Sequence, residues 1–185
     1  MIPDNMDGFS EAGKMYLDFL ARVQENAELY YPEIDELILM IREVQAVHVY
    51  GFGRSGAAAL AFAIRLRHFS NYIPPVWWVG DQVREPVSMG DLVILFSGSG
   101  DRPEVNQVAR KAKEASAFLA LITAAENPAL GPECEIVLTI PSLQDPRVYG
   151  GGDFELAAFF LQELLITHMG KIFDIPGEEV GLNHV

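Results

Sequence analysis

Five apolar residues, Leu92-Val93-Ile94-Leu95-Phe96, run without a polar interruption and then stop at Ser97-Gly98-Ser99-Gly100. An unbroken apolar run suits a strand buried on both faces, as in a parallel sheet covered by helices. The small-residue turn packs almost nothing and costs backbone entropy. It leads into "DRPEVNQVARKAKEA", where Asp101 reads as an N-cap, Pro103 as a first-turn residue and Glu104 as the partner acid of a helix start. Ligands of open parallel sheets bind beyond the carboxyl ends of the strands, where such a turn lies.

The remaining segments supply the alternation that this strand requires. Two helices are predicted within residues 9–43. The first has Ser10 as its cap and Met15, Leu17, Phe19, Leu20 and Val23 near helical spacing, and Pro32 opens the second. "AVHVY" reads as a strand ending at Gly51, residues 55–68 as a helix, and "VWWV" as a strand. "FLALIT" and "EIVLTI" are two more strands, and "GGDFELAAFFLQELLITHMGKIF" is a long helix before a short tail. The order is two helices, then β-α-β-β-α-β-β-α, which argues for an α/β domain with a parallel sheet. One domain spans 1–185, with N-terminal helices in 1–45, the sheet and its crossovers in 46–140, and the C-terminal helix and tail in 153–185.

Composition narrows the partners. Half of the 185 residues are hydrophobic and 21% are charged, which is a globular composition. The net charge of −13 argues against nucleic acid, whose phosphates need a basic surface. It leaves room for a small phosphorylated ligand at a locally positive site. The single Cys134 makes neither a disulfide nor a metal set, and no apolar run is long enough to span a bilayer. No signal peptide is read at the N-terminus, so a cytoplasmic protein is expected. The long helix carries Phe154, Leu156, Phe159, Phe160, Leu161, Leu164, Leu165 and Ile166 around most of its circumference. A helix apolar all round is buried on more than one side. A second subunit is expected on its outer face, with the two N-terminal helices as the alternative cover.

A second turn repeats the logic of the first. "VYGFGRSGAAA" sets Gly51, Gly53, Arg54, Ser55 and Gly56 between a strand and a helix. Glycines let the backbone approach a ligand, and a helix N-terminus offers unpaired N–H groups and positive dipole. Serine hydroxyls add donors. The spacing Gly51-x-Gly53-x-x-Gly56 also fits the dinucleotide fingerprint. That fingerprint needs an acid about twenty residues on, and the nearest, Asp81, stands about 25 residues past Gly56. Two anion-cradling turns fit one sugar phosphate better than a dinucleotide.

These residues resemble those of the sugar isomerase (SIS) domains and, within them, the 6-phospho-3-hexuloisomerases. "VYGFGRSG" is similar to the family's first turn and "MGDLVILFSGSG" to its second. "FELAAFFLQELL" resembles its buried helix and "GEEVGLNHV" its acidic, His-bearing C-terminus. The resemblance implies a three-layer α/β/α sandwich, flavodoxin-like, with a five-stranded parallel sheet. It also implies tetramers or dimers, and conversion of a 3-hexulose 6-phosphate to fructose 6-phosphate with no metal or organic cofactor. The chain departs from the family where Glu-Thr is usual, at Asp101-Arg102, and where threonines and a proline are usual, at Gln82, Arg84 and Glu85.

Moving a carbonyl from C3 to C2 through an enediol needs a carbon base and a proton carrier between the two oxygens. A carboxylate partly shielded from water can be the base. Glu155, opening an apolar helix near the loops, is the candidate, with a first-turn dipole role as the alternative. Histidine suits the oxygen shuttle. His48, His68 and His168 fall within elements, which leaves His184. The phosphate-binding candidates are Gly53, Arg54, Ser55, Ser97, Gly98, Ser99, Gly100 and Arg102. A non-catalytic phosphosugar-binding module and an isomerase of another sugar phosphate are the competing readings.

Overall fold

Five short strands pair in one all-parallel sheet in the computed structural model, which describes residues 6–143, 145 and 152–182. They are β1 (Val47–Gly51), β2 (Val76–Trp78), β3 (Leu92–Phe96), β4 (Phe118–Thr123) and β5 (Ile136–Thr139), in the order β2-β1-β3-β4-β5. The helices are α1 (Met6–Leu29), α2 (Tyr31–Glu43), α3 (Gly53–Arg67), α4 (Pro103–Glu114), α5 (Asp153–Ile172) and α6 (Gly177–Gly181). The expected strands and long helices are all present. The tail holds a further short helix, α6, and Gly131–Glu133 form a 3-10 turn.

The strand order follows from handedness. A parallel crossover is right-handed because of strand twist. The connection β1-α3-β2 runs toward one edge of the sheet and β3-α4-β4 toward the other. Right-handed crossovers in opposite directions put α3 and α4 on opposite faces. The direction reverses between β1 and β3, paired from Val47↔Leu92 to Gly51↔Phe96. That reversal opens a crevice at the carboxyl ends of these two strands.

The two faces are unequally covered. Leu92, Ile94 and Phe96 share a large core with Phe19, Ile38, Phe62 and Leu165, from α1, α2, α3 and α5. Val93 and Leu95 face a smaller core with Val105, Ala109 and Ala112 of α4. Every residue of β3 is fully buried, as its unbroken apolar pattern requires. Helix α5 lies within the larger core, where Phe154, Ala157, Leu161, Leu165 and Met169 are buried. Its second side is covered by helices of the same chain, as the cluster with Phe19 and Ile38 shows. Phe159 stays 43% exposed. Phe154, Leu161, Leu165 and Ile166 are thus absorbed within the chain, whereas Leu156, Phe160 and Leu164 are only half-buried.

Two local expectations are corrected. Ser10 does not cap the first helix, because α1 already runs from Met6 and Ser10 lies inside it. Asp101 does not cap α4. Arg102 holds the N-cap position without a side-chain cap, and Asp101 Oδ1 instead accepts from Asn106 Nδ2 at 2.9 Å.

A buried polar pair ties the amino ends of β1 and β3. The Nε2 of His48 lies 3.1 Å from Asp91 Oδ2, and His48 is fully buried. That carboxylate oxygen also accepts from the Ser88 N–H at 2.8 Å. Burial pulls the His48 pKa below 6.5, helped by the positive Arg84 and opposed by Asp91. The unfolded chain therefore binds a proton that the folded chain refuses as pH falls below 6.5. Stability is retained above that value and declines below it, at up to about 1.4 kcal/mol per pH unit from this one group. An NMR titration of the His48 ring is expected to show a midpoint below 6.5. A midpoint at or above 6.5 would contradict the burial account.

Candidate active site

The first turn is built by a contact that only glycine permits. A Cβ on Gly51 would stand 2.7 Å from the Ser55 carbonyl oxygen, and one on Gly56 would stand 2.7 Å from the Gly51 carbonyl oxygen. Without side chains, the first turn of α3 sits directly on the end of β1. Gly53 opens the helix with φ of +62°, in the left-handed region. Phe52, between the two glycines, is the N-cap residue and is 44% exposed.

The second turn closes on itself and on β4. The Gly100 N–H donates to the Ser97 carbonyl at 3.0 Å, and the Ala124 N–H donates to the Gly98 carbonyl at 3.1 Å. Thr123, fully buried at the end of β4, braces the turn through its hydroxyl. That group donates to the Gly98 carbonyl at 3.4 Å and accepts from the Ala125 N–H at 3.1 Å. Gly100 has φ of +63°, and a Cβ there would collide with Pro128. Ser97 is only 1% exposed, and its Oγ has no hydrogen-bond partner among the described residues. Ser99 is exposed.

The first turn of α5 joins both. The Ser55 hydroxyl donates to Glu155 Oε1 at 2.9 Å, and Arg54 Nε lies 3.5 Å from Glu155 Oε2. The Glu155 side chain is 17% exposed, whereas that of Arg54 is 62% exposed. Phe154 lies against the other turn, since a Cβ on Gly98 would be 3.2 Å from its ring. Asp153 anchors the helix start: its Oδ2 accepts from the Ser142 hydroxyl at 3.0 Å and from the Leu143 N–H at 2.8 Å. Arg102, the N-cap residue of α4, places its guanidinium over the Phe52 ring at 5.9 Å.

Of the expected site residues, Gly53, Arg54, Ser55, Ser97, Gly98, Ser99, Gly100, Arg102 and Glu155 all lie on these three segments at the carboxyl end of the sheet. His184 lies outside the described residues. The other histidines lie elsewhere. His48 is paired with Asp91 at the opposite end of the strands, and His168 pairs with Asp35 at 2.8 Å between α5 and α2. Burial pushes the Cys134 thiol up to about 12, which suits an inert packing residue. The residues missed from sequence are Thr123, Phe154, Asp153 and Phe52. Thr123 carried one readable signal, a hydroxyl residue ending an otherwise apolar strand.

Two of the surface clefts lie apart from these turns. One of about 440 Å³ is lined by Tyr31, Ile34, Leu164 and His168. Another of about 660 Å³ lies at the far ends of α3 and α5, by Phe69, Gly170 and Val180. The two turns are the better anion site, because they combine helix N-termini, backbone N–H groups and serine hydroxyls. Gly100→Ala is expected to lower unfolding free energy by about 1–3 kcal/mol through overpacking against Pro128. Gly53→Ala, which meets nothing within 4 Å, should cost less. Denaturant unfolding of both variants checks the ranking, and equal losses would contradict it.

The pattern of the SIS domain family matches residues 40–152. A 3-hexulose-6-phosphate isomerase of Bacillus subtilis is 30% identical over 157 residues, covering 82% of this chain and 80% of its own length. A second, from Mycobacterium gastri, is 32% identical over 145 residues, covering 75% and 71%. A solved structure from Methanococcus jannaschii, for which a 3-hexulose-6-phosphate isomerase function is inferred, superposes with a TM-score of 0.81 at 24% identity, covering 91% of this chain and 97% of that one. The chain belongs to the SIS domain family.

Proposed function

We propose that this SIS-family chain is a phosphosugar isomerase, interconverting 3-hexulose 6-phosphate and fructose 6-phosphate through an enediol. The observation that carries the reading is the contact of Ser55 with Glu155, at 2.9 Å. It holds a part-buried carboxylate between two turns suited to a phosphate. In this reading the phosphate lies against Ser97, Gly98, Ser99 and Gly100 at the N-terminus of α4. The sugar then extends toward Arg54 and Glu155. Glu155 takes the proton from C2, leaving a 2,3-enediol, and a proton returns at C3. The proton on O2 leaves as O3 gains one, which restores a carbonyl at C2. Ser55 and Arg54 orient the carboxylate. Phosphorylated sugars are cytoplasmic metabolites, and the reading places the protein there.

The oxygen proton carrier is assigned to His184 of a second copy of the chain. Helix α5 has 20 residues and leads away from Glu155, a span of about 30 Å. Helix α6 then docks at the far ends of α3 and α5, where Gly181 lies by Arg65, Phe69 and Gly170 and the Tyr72 hydroxyl bonds Glu179. The exposed Leu60 and Ile64 of α3 and Phe159 of α5 support a subunit contact on this side.

Three measurements test the reading. Glu155→Gln should lower turnover by about 10²–10⁴ and abolish solvent deuterium exchange at the substrate carbon, with fructose 6-phosphate affinity little changed. Exchange at the full wild-type rate would exclude Glu155 as the base. Tight binding by a wild type that neither exchanges nor turns over would assign a phosphosugar-binding module instead. Ser97→Ala and Ser99→Ala should each weaken fructose 6-phosphate binding by about 1.5–3 kcal/mol in calorimetry, and unchanged affinity would remove the cradle. Mixing Glu155→Gln with His184→Ala protein, each impaired alone, should restore activity in mixed oligomers. No recovery after dissociation and reassembly would place both groups in one chain or remove His184 from the reaction.

A further inference from the structure

Arg102 stands where elementary electrostatics does not want a cation. It occupies the N-cap position of α4, at the positive end of the helix dipole. Its sequence neighbours include two acids, yet among the described residues its guanidinium makes no ion pair. Asp101 is engaged by Asn106 at 2.9 Å. Glu104 sits in the first turn of α4 with one buried oxygen unpartnered, and its charge is felt by the half-buried Tyr50. The Arg102 guanidinium instead lies over the Phe52 ring at 5.9 Å. Phe52 is itself the N-cap residue of α3. One cation–π contact therefore joins the N-termini of α3 and α4, across the carboxyl ends of β1 and β3 where the strand order reverses.

A second observation marks the same place as a ligand site. Ser97 is 1% exposed, and its Oγ is unpartnered among the described residues. It follows Val93 and Leu95 at the two-residue period of a strand, and both of those face α4. Its hydroxyl thus lies on the side of the helix end that carries Arg102. A buried hydroxyl without a partner and a cation without a counter-ion share one solution, an anion between them. The acids Asp101 and Glu104 would repel a dianion from this turn, and a guanidinium held above the crevice offsets that repulsion.

We propose that Arg102 is the cationic determinant of phosphate recognition in this crevice, and that Phe52 is a positioning residue whose ring aims the guanidinium at the ligand's phosphate. This rests on the reading of the crevice as a sugar phosphate site. The stack limits the rotamers of a long exposed side chain, so less freedom is lost when the phosphate arrives. A guanidinium can also hold two phosphate oxygens through a planar fork of parallel N–H donors, a geometry that a lysine ammonium lacks.

The test is calorimetric titration of wild type and variants with fructose 6-phosphate at low and high salt, with inorganic phosphate as competitor. Arg102→Ala is expected to weaken binding by about 10- to 100-fold, the range for a lost hydrogen bond to a charged group, and to flatten the salt dependence. Arg102→Lys should recover only part of it. Phe52→Ala is expected to weaken binding by about 2- to 5-fold, as for a cation–π contact at an exposed site, while Phe52→Tyr retains affinity. In an Arg102→Ala background, Phe52→Ala should cause no further loss. In turnover assays the Phe52→Ala effect should fall on KM and not on kcat. Equal losses from Phe52→Ala with and without Arg102 would overturn the positioning role. Wild-type affinity and salt dependence in Arg102→Ala would overturn the whole inference. A wild type that fails to bind fructose 6-phosphate would overturn the reading of the crevice, and this inference with it. Both side chains are exposed, so the substitutions leave the core intact, and Phe52→Tyr and Arg102→Lys serve as folded controls.

Discussion

The architecture of the site depends on a backbone contact between Gly51 and the first turn of α3. The Ser55 carbonyl oxygen stands 2.7 Å from where a Gly51 Cβ would be, and the Gly51 carbonyl oxygen stands equally close to a Gly56 Cβ. A methyl group on either would push the helix off the strand. Because the helix starts this close, Ser55 lies within 2.9 Å of a carboxylate oxygen on α5, a hundred residues further along the chain. Phe154, one residue before that carboxylate, touches Gly98 of the other turn. Three segments remote in sequence thus share one small volume.

The electrostatics of the crevice run against those of the whole chain. The protein carries a net charge of −13, yet the crevice collects Arg54, Arg102 and two helix N-termini. The partial charge of a helix end acts within its first turn, so it offsets the neighbouring acids only locally. Acids stand there too, Asp101 and Glu104 at the start of α4 and Asp153 and Glu155 at the start of α5, and Glu155 is held by a hydroxyl and a guanidinium. In the proposed reaction, a base at Glu155 must keep its orientation while the sugar moves through planar and tetrahedral geometries. Two partners on two different oxygens provide that constraint.

At the other end of the strands, the polar pair His48–Asp91 serves the sheet and not the crevice. It links the amino ends of the same two strands whose carboxyl ends hold the turns. The histidine stays neutral because burial outweighs the pull of the carboxylate. The arrangement fixes the start of β3 through Ser88 and Asp91, so the register that delivers Ser97 to the crevice is set from both ends.

The sequence by itself determined the elements and the identity of the turns. The apolar run of β3, the two glycine-serine turns and the apolar α5 were legible because each reflects local backbone or burial rules. The strand order, and with it the crevice between β1 and β3, was legible only as an implication of family resemblance, since periodicity does not say which strands pair. Tertiary structure decided the rest. It moved the N-cap of α4 from Asp101 to Arg102, because Asn106 engages the Asp101 carboxylate. It packed α5 against α3, α1 and α2, which are all distant from it in sequence. It gave roles to Thr123, Asp153, Phe154 and Phe52, whose residue types alone suggest ordinary packing or capping. The physical reason is the same in each case. Propensity, capping and burial act over a few residues, whereas the partners of these side chains are chosen by contacts between segments that only the folded chain brings together.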